Sequence, residues 1–290
     1  MSRITGLRAT YRCLEDVALD LTDPDTGAGS PFIALVGANG AGKTTILEAI
    51  ALCAWHTATR QWQNPFTDTR DWHIELDFSG DHLTCARSQA GLVRLDMPQG
   101  AQAIRDASRG TLYIRSGYLP LMPVNEPLHL GPAAKLSWDA ALRDQPKERI
   151  TAVHQWWLHQ HLEYPTTTRL DRLWQALAPF LGDLVYAGVN PNDHLPCFDA
   201  RGHTVTFNEL SSGERRIVLL FMEIAMHCGE DGIVLFDEPE AHFHPVWQRM
   251  LPNALQELVP GGQIIVATHA PHVVEGLAEH QVFTFGERPW

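Results

Sequence analysis

The chain has 290 residues, of which 44% are hydrophobic and 19% are charged, values typical of a globular protein rather than a disordered one. Its formal net charge is −12, which argues against a surface built mainly to hold nucleic acid or an anionic membrane. No apolar run reaches the roughly 18–20 residues of a membrane helix, and the N-terminus has no signal-peptide core, so we expect a cytoplasmic protein.

The predicted secondary structure alternates between short strands and helices. Apolar runs between turn residues predict buried parallel strands, whereas the alternation across 72–97 predicts a small antiparallel sheet. In chain order, the predicted strands cover 4–11, 16–21, 32–36, 72–78, 83–87, 91–97, 112–115, 233–236 and 264–267. The other predictions are helices at 44–55 and 213–228, mostly helix across 133–182, a polar loop at 98–110, and strand-like structure up to 207 after a turn at 190–192.

A glycine-rich turn follows the buried strand 32–36 and precedes an apolar helix. Residues 37–44 fit G-x-x-x-x-G-K-[ST], a pattern in which backbone N–H groups and a helix N-terminus surround phosphates. In this pattern Lys43 reaches the β- and γ-phosphates and the Thr44 hydroxyl binds Mg²⁺. The alternative is a glycine-rich turn with an incidental lysine. The residues predicted to hold the nucleotide here are Gly37, Asn39, Gly40, Ala41, Gly42, Lys43, Thr44 and Thr45.

A second anion site is predicted where residues 210–216, Leu-Ser-Ser-Gly-Glu-Arg-Arg, precede an apolar helix. Ser211 at the N-cap and Glu214 three residues later form the pattern of a capping box, which by itself occurs at many helix starts. The same geometry places a hydroxyl, the Gly213 amide and a helix N-terminus together, and that combination also suits a phosphate.

Two buried strands each end in polar residues. Asp237 and Glu238 follow the strand 233–236, and His269 follows the strand 264–267. Ligands of open α/β sheets lie at the carboxyl ends of the strands, so Asp237 is predicted to hold Mg²⁺ through water and Glu238 to orient or deprotonate an attacking water. A solvated acidic turn and a structural histidine are the alternatives.

The four motifs occur in the order found in ABC-type ATPases, and the chain resembles an ABC-type ATPase head over essentially its whole length. The signature segment resembles the L-S-x-G-E element of that family, and His269 resembles its switch histidine, which senses the γ-phosphate. The run Glu-Pro-Glu-Ala-His-Phe-His-Pro at 238–245 is similar to the E-P-E-x-x-x-H-P pattern of compact AAA/ABC-like ATPases of the RecF, SMC and OLD groups. Such ATPases are common in anti-phage defence modules of the Septu and retron types.

The chain departs from the family pattern in two places. Ser116 stands where the glutamine of the Q-loop is expected, so that Mg²⁺ contact falls to another residue, with Gln61, Gln63 and Gln89 as candidates. No aromatic residue is clearly placed to stack on adenine. Tyr11-Arg12 resembles the aromatic-arginine element of RecF/SMC-type heads, in which the arginine lies near the nucleotide; a surface arginine is the alternative for Arg12.

The resemblance implies an α/β P-loop NTPase with ABC-ATPase-head architecture: a mainly parallel core sheet, a small antiparallel sheet and a helical lobe. The predicted divisions are a nucleotide-binding lobe at 1–119, a helical insertion at 120–205, and the remainder of the nucleotide-binding lobe at 206–290. The cofactors implied are ATP and Mg²⁺.

The resemblance also implies a homodimer closed head to tail around two ATP molecules. Each site would take Lys43, Thr44, Asp237, Glu238 and His269 from one chain and Ser211 from the other. Only 21 residues follow His269, so we expect the effector, a nuclease for example, to be a separate protein.

Two other functions remain open at this stage. A DNA-binding repair ATPase is one, because the five arginines in 87–115 give a local charge of +3 against two aspartates, although a solvated face explains them as well. The ATP-binding subunit of a membrane transporter is the other, and the run after Glu238 argues against it.

Overall fold

In a computed structural model of the chain, the described residues are 3–59, 70–78, 80–88, 93–98, 101–114, 146–163, 168–241 and 243–286. Within them the strands are β1 Ile4–Tyr11, β2 Leu14–Asp20, β3 Phe32–Gly37, β4 Trp72–Phe78, β5 Asp81–Arg87, β6 Val93–Asp96, β7 Thr111–Ile114, β8 Val185–Val189, β9 Pro196–Ala200, β10 His203–Thr206, β11 Ile233–Asp237, β12 Gln263–Thr268 and β13 Val282–Phe285. The helices are α1 Lys43–Thr59, α2 Gln102–Arg109, α3 Pro146–Glu163, α4 Thr168–Leu181, α5 Ser212–Cys228, α6 Pro245–Leu258 and α7 Pro271–Val274.

A five-stranded parallel sheet forms the centre of the fold, in the order β13-β3-β12-β11-β7. Strands β3 and β12 are buried along their whole length, which explains why both read as unbroken apolar runs. Because β12 lies between β3 and β11, the segments that follow these three strands emerge side by side at one edge of the sheet. The predicted parallel core is confirmed.

A five-stranded antiparallel sheet, ordered β2-β1-β4-β5-β6, forms a second layer. Its apolar residues share one core cluster with α1 and with one face of the parallel sheet. The predicted antiparallel sheet is therefore confirmed, and it is joined by the N-terminal strands β1 and β2.

The other face of the parallel sheet is covered by helices. Helices α3, α4, α5 and α6 and the three-stranded antiparallel sheet β10-β9-β8 contribute to a second core cluster. The helices predicted within 133–182 are confirmed for the described residues, whereas residues 115–145 lie outside them. No helix among the described residues is both long and apolar enough to cross a membrane.

The loop predicted at 98–110 is wrong over most of its length, because α2 spans Gln102–Arg109. Among the side chains of this helix that the structure describes, the buried apolar ones are Ile104 and Ala107, three residues apart. A single apolar pair on an otherwise polar segment is too weak a periodic signal to predict a helix. Strands β8 and β13 and helices α6 and α7 add to the elements that the sequence pattern predicted.

Candidate functional site

The phosphate loop joins β3 to α1. Its backbone is left-handed at Gly40 (φ +82°) and Gly42 (φ +95°), a conformation in which glycine avoids the steric penalty of a side chain. The Lys43 ammonium is buried within the loop and donates hydrogen bonds to the carbonyl oxygens of Gly37 at 2.8 Å and Ala38 at 2.9 Å. Ala38, Asn39 and Gly40 are exposed, so the outer rim of the loop is open to a ligand.

Asp237, the last residue of β11, reaches the first turn of α1. The Thr44 hydroxyl lies 3.0 Å from Oδ1 and 3.1 Å from Oδ2 of Asp237. These two residues are 193 positions apart in the sequence, and the parallel sheet brings them together. A hydroxyl and a carboxylate are hard oxygen donors of the kind that Mg²⁺ prefers, so this pair fits the predicted metal.

Glu238 follows directly and adopts an uncommon backbone conformation, with φ at +50°. A residue other than glycine in this region is strained, and such residues cluster at functional sites. The Glu238 backbone N–H donates to the carbonyl oxygen of Ala267 in β12 at 2.8 Å, which holds the turn against the neighbouring strand.

His269 lies beside two glutamates. Its Nδ1 is 3.9 Å from Oε1 of Glu238 and 3.2 Å from Oε1 of Glu240. The fold therefore brings the predicted catalytic glutamate and the predicted switch histidine together. Glu240 was missed as a site residue, although it is the third acid of an Asp-Glu-Pro-Glu run at the end of a buried strand.

The predicted capping box at the start of α5 is present. The Ser211 hydroxyl accepts the Glu214 N–H at 3.3 Å, and the Glu214 carboxylate accepts the Ser211 N–H at 2.7 Å. Ser211 is exposed, and among the described residues its side-chain hydrogen bond stays within this segment. Gly213 packs against the ring of Trp247 in α6: a Cβ added to Gly213 would lie 3.3 Å from that ring.

Arg12 lies in the turn between β1 and β2, close to α1. Its guanidinium donates a hydrogen bond to the carboxylate of Glu48, a buried residue of α1, and lies 5.3 Å from the Tyr11 ring centroid. In the same turn, the sulfur of Cys13 is 3.4 Å from the hydroxyl oxygen of Thr45. The turn thus packs against the helix that follows the phosphate loop, and the contact of Arg12 with a nucleotide stays a prediction.

The remaining candidates are less informative. Ser116, Gln61, Gln63 and Gln89, which concern the Q-loop, lie outside the described residues. In the arginine-rich stretch, Arg87 donates to the Arg70 carbonyl oxygen at 3.3 Å, and the exposed Arg94 is 3.5 Å from Asp96. These contacts show local pairing of the two arginines.

The fold and the site together define the class of protein as a P-loop NTPase of the ATPase-head type. Two family models match parts of the chain: one described as "AAA domain" at residues 9–94, and one described as "AAA domain, putative AbiEii toxin, Type IV TA system" at residues 186–275. The first region includes the phosphate loop, and the second includes the signature segment, the acidic strand end and His269.

Curated relatives and solved structures agree with this class. The chain is 26% identical over 125 residues to the Retron Vc95 probable ATPase of Vibrio cholerae, covering 39% of this chain and 24% of that protein. It is 22% identical over 304 residues to the Septu protein PtuA of Bacillus mycoides, covering 94% of this chain and 38% of that protein. The chain thus spans about a quarter to two fifths of the length of these two relatives.

The SMC head gives the structural match. A crystal structure of an SMC head bound to the C-terminal winged-helix domain of ScpA aligns with a TM-score of 0.56 and 14% identity, covering 93% of this chain and 90% of that one. The chain therefore has an SMC-head-like P-loop ATPase fold. Its sequence is similar to AAA-type domains, to retron and Septu proteins and to an OLD nuclease, in agreement with the resemblance that the motifs indicate.

Proposed function

We propose that the protein is a Mg-ATP-dependent ATPase that dimerises head to tail around ATP and so switches a separate effector protein. One observation carries this proposal. At a single edge of the sheet the Thr44 hydroxyl lies within hydrogen-bond distance of the Asp237 carboxylate, and His269 lies beside Glu238. Phosphate binding, metal binding and activation of water need these residue types at one place.

Each residue has a chemical role in the proposal. Lys43 exchanges its two loop carbonyls for phosphate oxygens, while Thr44 and Asp237 hold Mg²⁺, which neutralises phosphate charge when bound. The Glu238 carboxylate orients the attacking water and accepts its proton. His269 donates a hydrogen bond to the terminal phosphate and stabilises the charge that develops there.

The two-chain arrangement is supported by the signature segment. Ser211 is exposed at the start of a 17-residue helix and is capped within its own segment, so it is accessible to an anion held by another molecule. The contact of Gly213 with Trp247 links this segment to α6, the helix that follows Glu238. In the proposed dimer, contact of Ser211 with the partner's ATP is therefore transmitted through α6 to the turn that holds Glu238 in the same chain.

The effector is proposed from the relatives. Two of them are a retron ATPase and a Septu protein, and the SMC head in the matched structure carries a bound protein domain. We propose a defence role or a role in DNA maintenance, with a protein such as a nuclease as the controlled partner. The net charge of −12 favours a protein partner over direct, extended binding of DNA.

The dimer is tested with Glu238→Gln, which removes the base but keeps the shape of the side chain. This variant should bind ATP without hydrolysing it and should elute as a dimer in size-exclusion chromatography with Mg-ATP. Lys43→Ala is the matched control, because it loses phosphate binding and should remain monomeric. A Glu238→Gln protein that binds ATP yet stays monomeric would refute the two-chain site, and hydrolysis that rises steeply with added DNA would favour the repair ATPase.

A further inference from the structure

Glu240 makes an unusual pair of contacts with His269. The Glu240 side chain is 5% exposed, whereas that of His269 is 50% exposed. Oε1 of Glu240 accepts the backbone N–H of His269 at 3.0 Å and lies 3.2 Å from Nδ1 of the same residue. A single carboxylate oxygen therefore accepts a hydrogen bond from the backbone of this histidine and lies beside its ring.

The second oxygen of Glu240, Oε2, is in an environment that does not stabilise the fold. Oε2 is buried and has no hydrogen-bond partner among the described residues. A buried carboxylate oxygen that loses water without gaining a partner destabilises the folded state. The contacts of Oε1 with His269 are the compensating feature at this position, and they concern a site residue.

The ring contact determines which nitrogen of His269 remains available. Nδ1 lies within hydrogen-bond distance of Glu240 but 3.9 Å from Glu238, which is beyond it. Nδ1 is therefore the ring nitrogen that faces the Glu240 carboxylate, and Nε2 is left for another group. Carboxylates orient functional histidines in this way in metal sites and catalytic triads.

We infer that Glu240 is a positioning residue for ATP hydrolysis: it fixes the His269 ring so that Nε2 is left for the terminal phosphate. The inference rests on the proposed function, because it gives His269 the phosphate-sensing role. Glu240 acts through His269 and does not touch the reacting atoms.

The test compares variants of Glu240 in two backgrounds. Glu240→Ala removes the acceptor and should lower the single-turnover rate of ATP hydrolysis roughly 10- to 100-fold, as loss of an orienting carboxylate does elsewhere, while ATP affinity stays within about threefold. Glu240→Gln retains an acceptor oxygen and should keep most of the rate. In a His269→Ala background, Glu240→Ala should lower the rate of hydrolysis little further, since the ring that Glu240 positions is already absent.

Three results would overturn the inference: an unchanged rate in Glu240→Ala, an equal loss in Glu240→Gln, or effects that multiply in the double variant. If Glu240→Ala does not fold, Glu240→Met, which fills similar volume without an acceptor, takes its place. A wild-type protein that binds ATP but does not hydrolyse it would instead refute the proposed function, so the two failures are distinguishable.

Discussion

His154 provides a quantitative test of the packing in the helical layer. It lies in α3, is fully buried, and packs edge-on against Phe207 with ring centroids 4.9 Å apart. Neither ring nitrogen has a hydrogen-bond partner among the described residues. Burial lowers the pKa of His154 from 6.5 to about 3, because the charged imidazolium would be cut off from water.

The pKa difference makes stability depend on pH with a definite sign. The unfolded chain takes up a proton below about pH 6.5, whereas folded His154 does not until about pH 3. Stability is therefore fully present above the unfolded pKa and falls as the pH drops from 6.5 toward 3. At pH 5, which is about 1.5 units below the unfolded pKa, the loss of folding stability caused by His154 is about 2 kcal/mol. At pH 7.5 this loss is close to zero.

His154→Leu removes the titrating group and breaks no hydrogen bond. We expect the free energy of unfolding of the variant minus that of the wild type to be about 2 kcal/mol larger at pH 5 than at pH 7.5, because only the wild type loses stability as the pH falls. Urea unfolding of both proteins at the two pH values measures this difference, and all other titrating groups cancel in the comparison. The same relative stability at both pH values would refute the burial of a neutral His154.

Three further predictions concern the site and three glycines, of which Gly40 and Gly42 belong to the phosphate loop and Gly262 precedes β12. Asp237→Asn should lower kcat for ATP hydrolysis by at least about 100-fold with little change in the unfolding free energy, as measured by phosphate release and urea titration. Gly42→Ala, at φ +95°, should destabilise the protein by roughly 1–2 kcal/mol and weaken ATP binding in a fluorescence titration; Gly40→Ala, at φ +82° with open space around it, should show the backbone penalty alone. Gly262→Ala should lower stability by roughly 1–3 kcal/mol in urea, because the added Cβ would lie 2.1 Å from the Gly232 carbonyl oxygen.

The parallel core was predictable because its strands are buried on both faces. Strands β3 and β12 appear in the sequence as short apolar runs bounded by turn residues, and no solvent-facing alternation interrupts them. The motifs at their carboxyl ends then follow from one geometric rule, since parallel strands deliver their loops to the same edge. Helix α2 carried no comparable signal.

Helix α6 illustrates a local signal that the motif pattern obscured. It begins with Pro245 after His244, whose Nδ1 accepts the Val246 N–H at 3.3 Å, and it buries Leu251, Leu255 and Leu258. Proline at the first helical position and apolar residues three and four apart are ordinary signs of a helix. His244 and Pro245 also belong to the run at 238–245 that resembles a family motif, whereas the apolar residues beyond it carry the periodic signal of the helix.

Contacts between distant residues were beyond the reach of the sequence pattern. Glu240 and His269 are 29 positions apart, and Arg12 and Glu48 are 36 positions apart. Each of these side chains belongs to a predicted strand end, turn or helix, but the pairing depends on how sheets and helices pack. Residue types and spacing therefore predicted the phosphate loop and the acidic strand end, and not the side chains that hold His269 and Arg12 in place.

The central claim is that each ATP site uses His269 from one chain and Ser211 from the other. It is tested most directly by mixing Ser211→Ala and His269→Ala chains in equal amounts before ATP is added and measuring phosphate release. Half of the dimers should be mixed, and each mixed dimer has one site with both residues intact, so activity should recover toward about a quarter of the wild-type value. A mixture that shows only the mean of the two separate activities, although both variants bind ATP, would contradict the account.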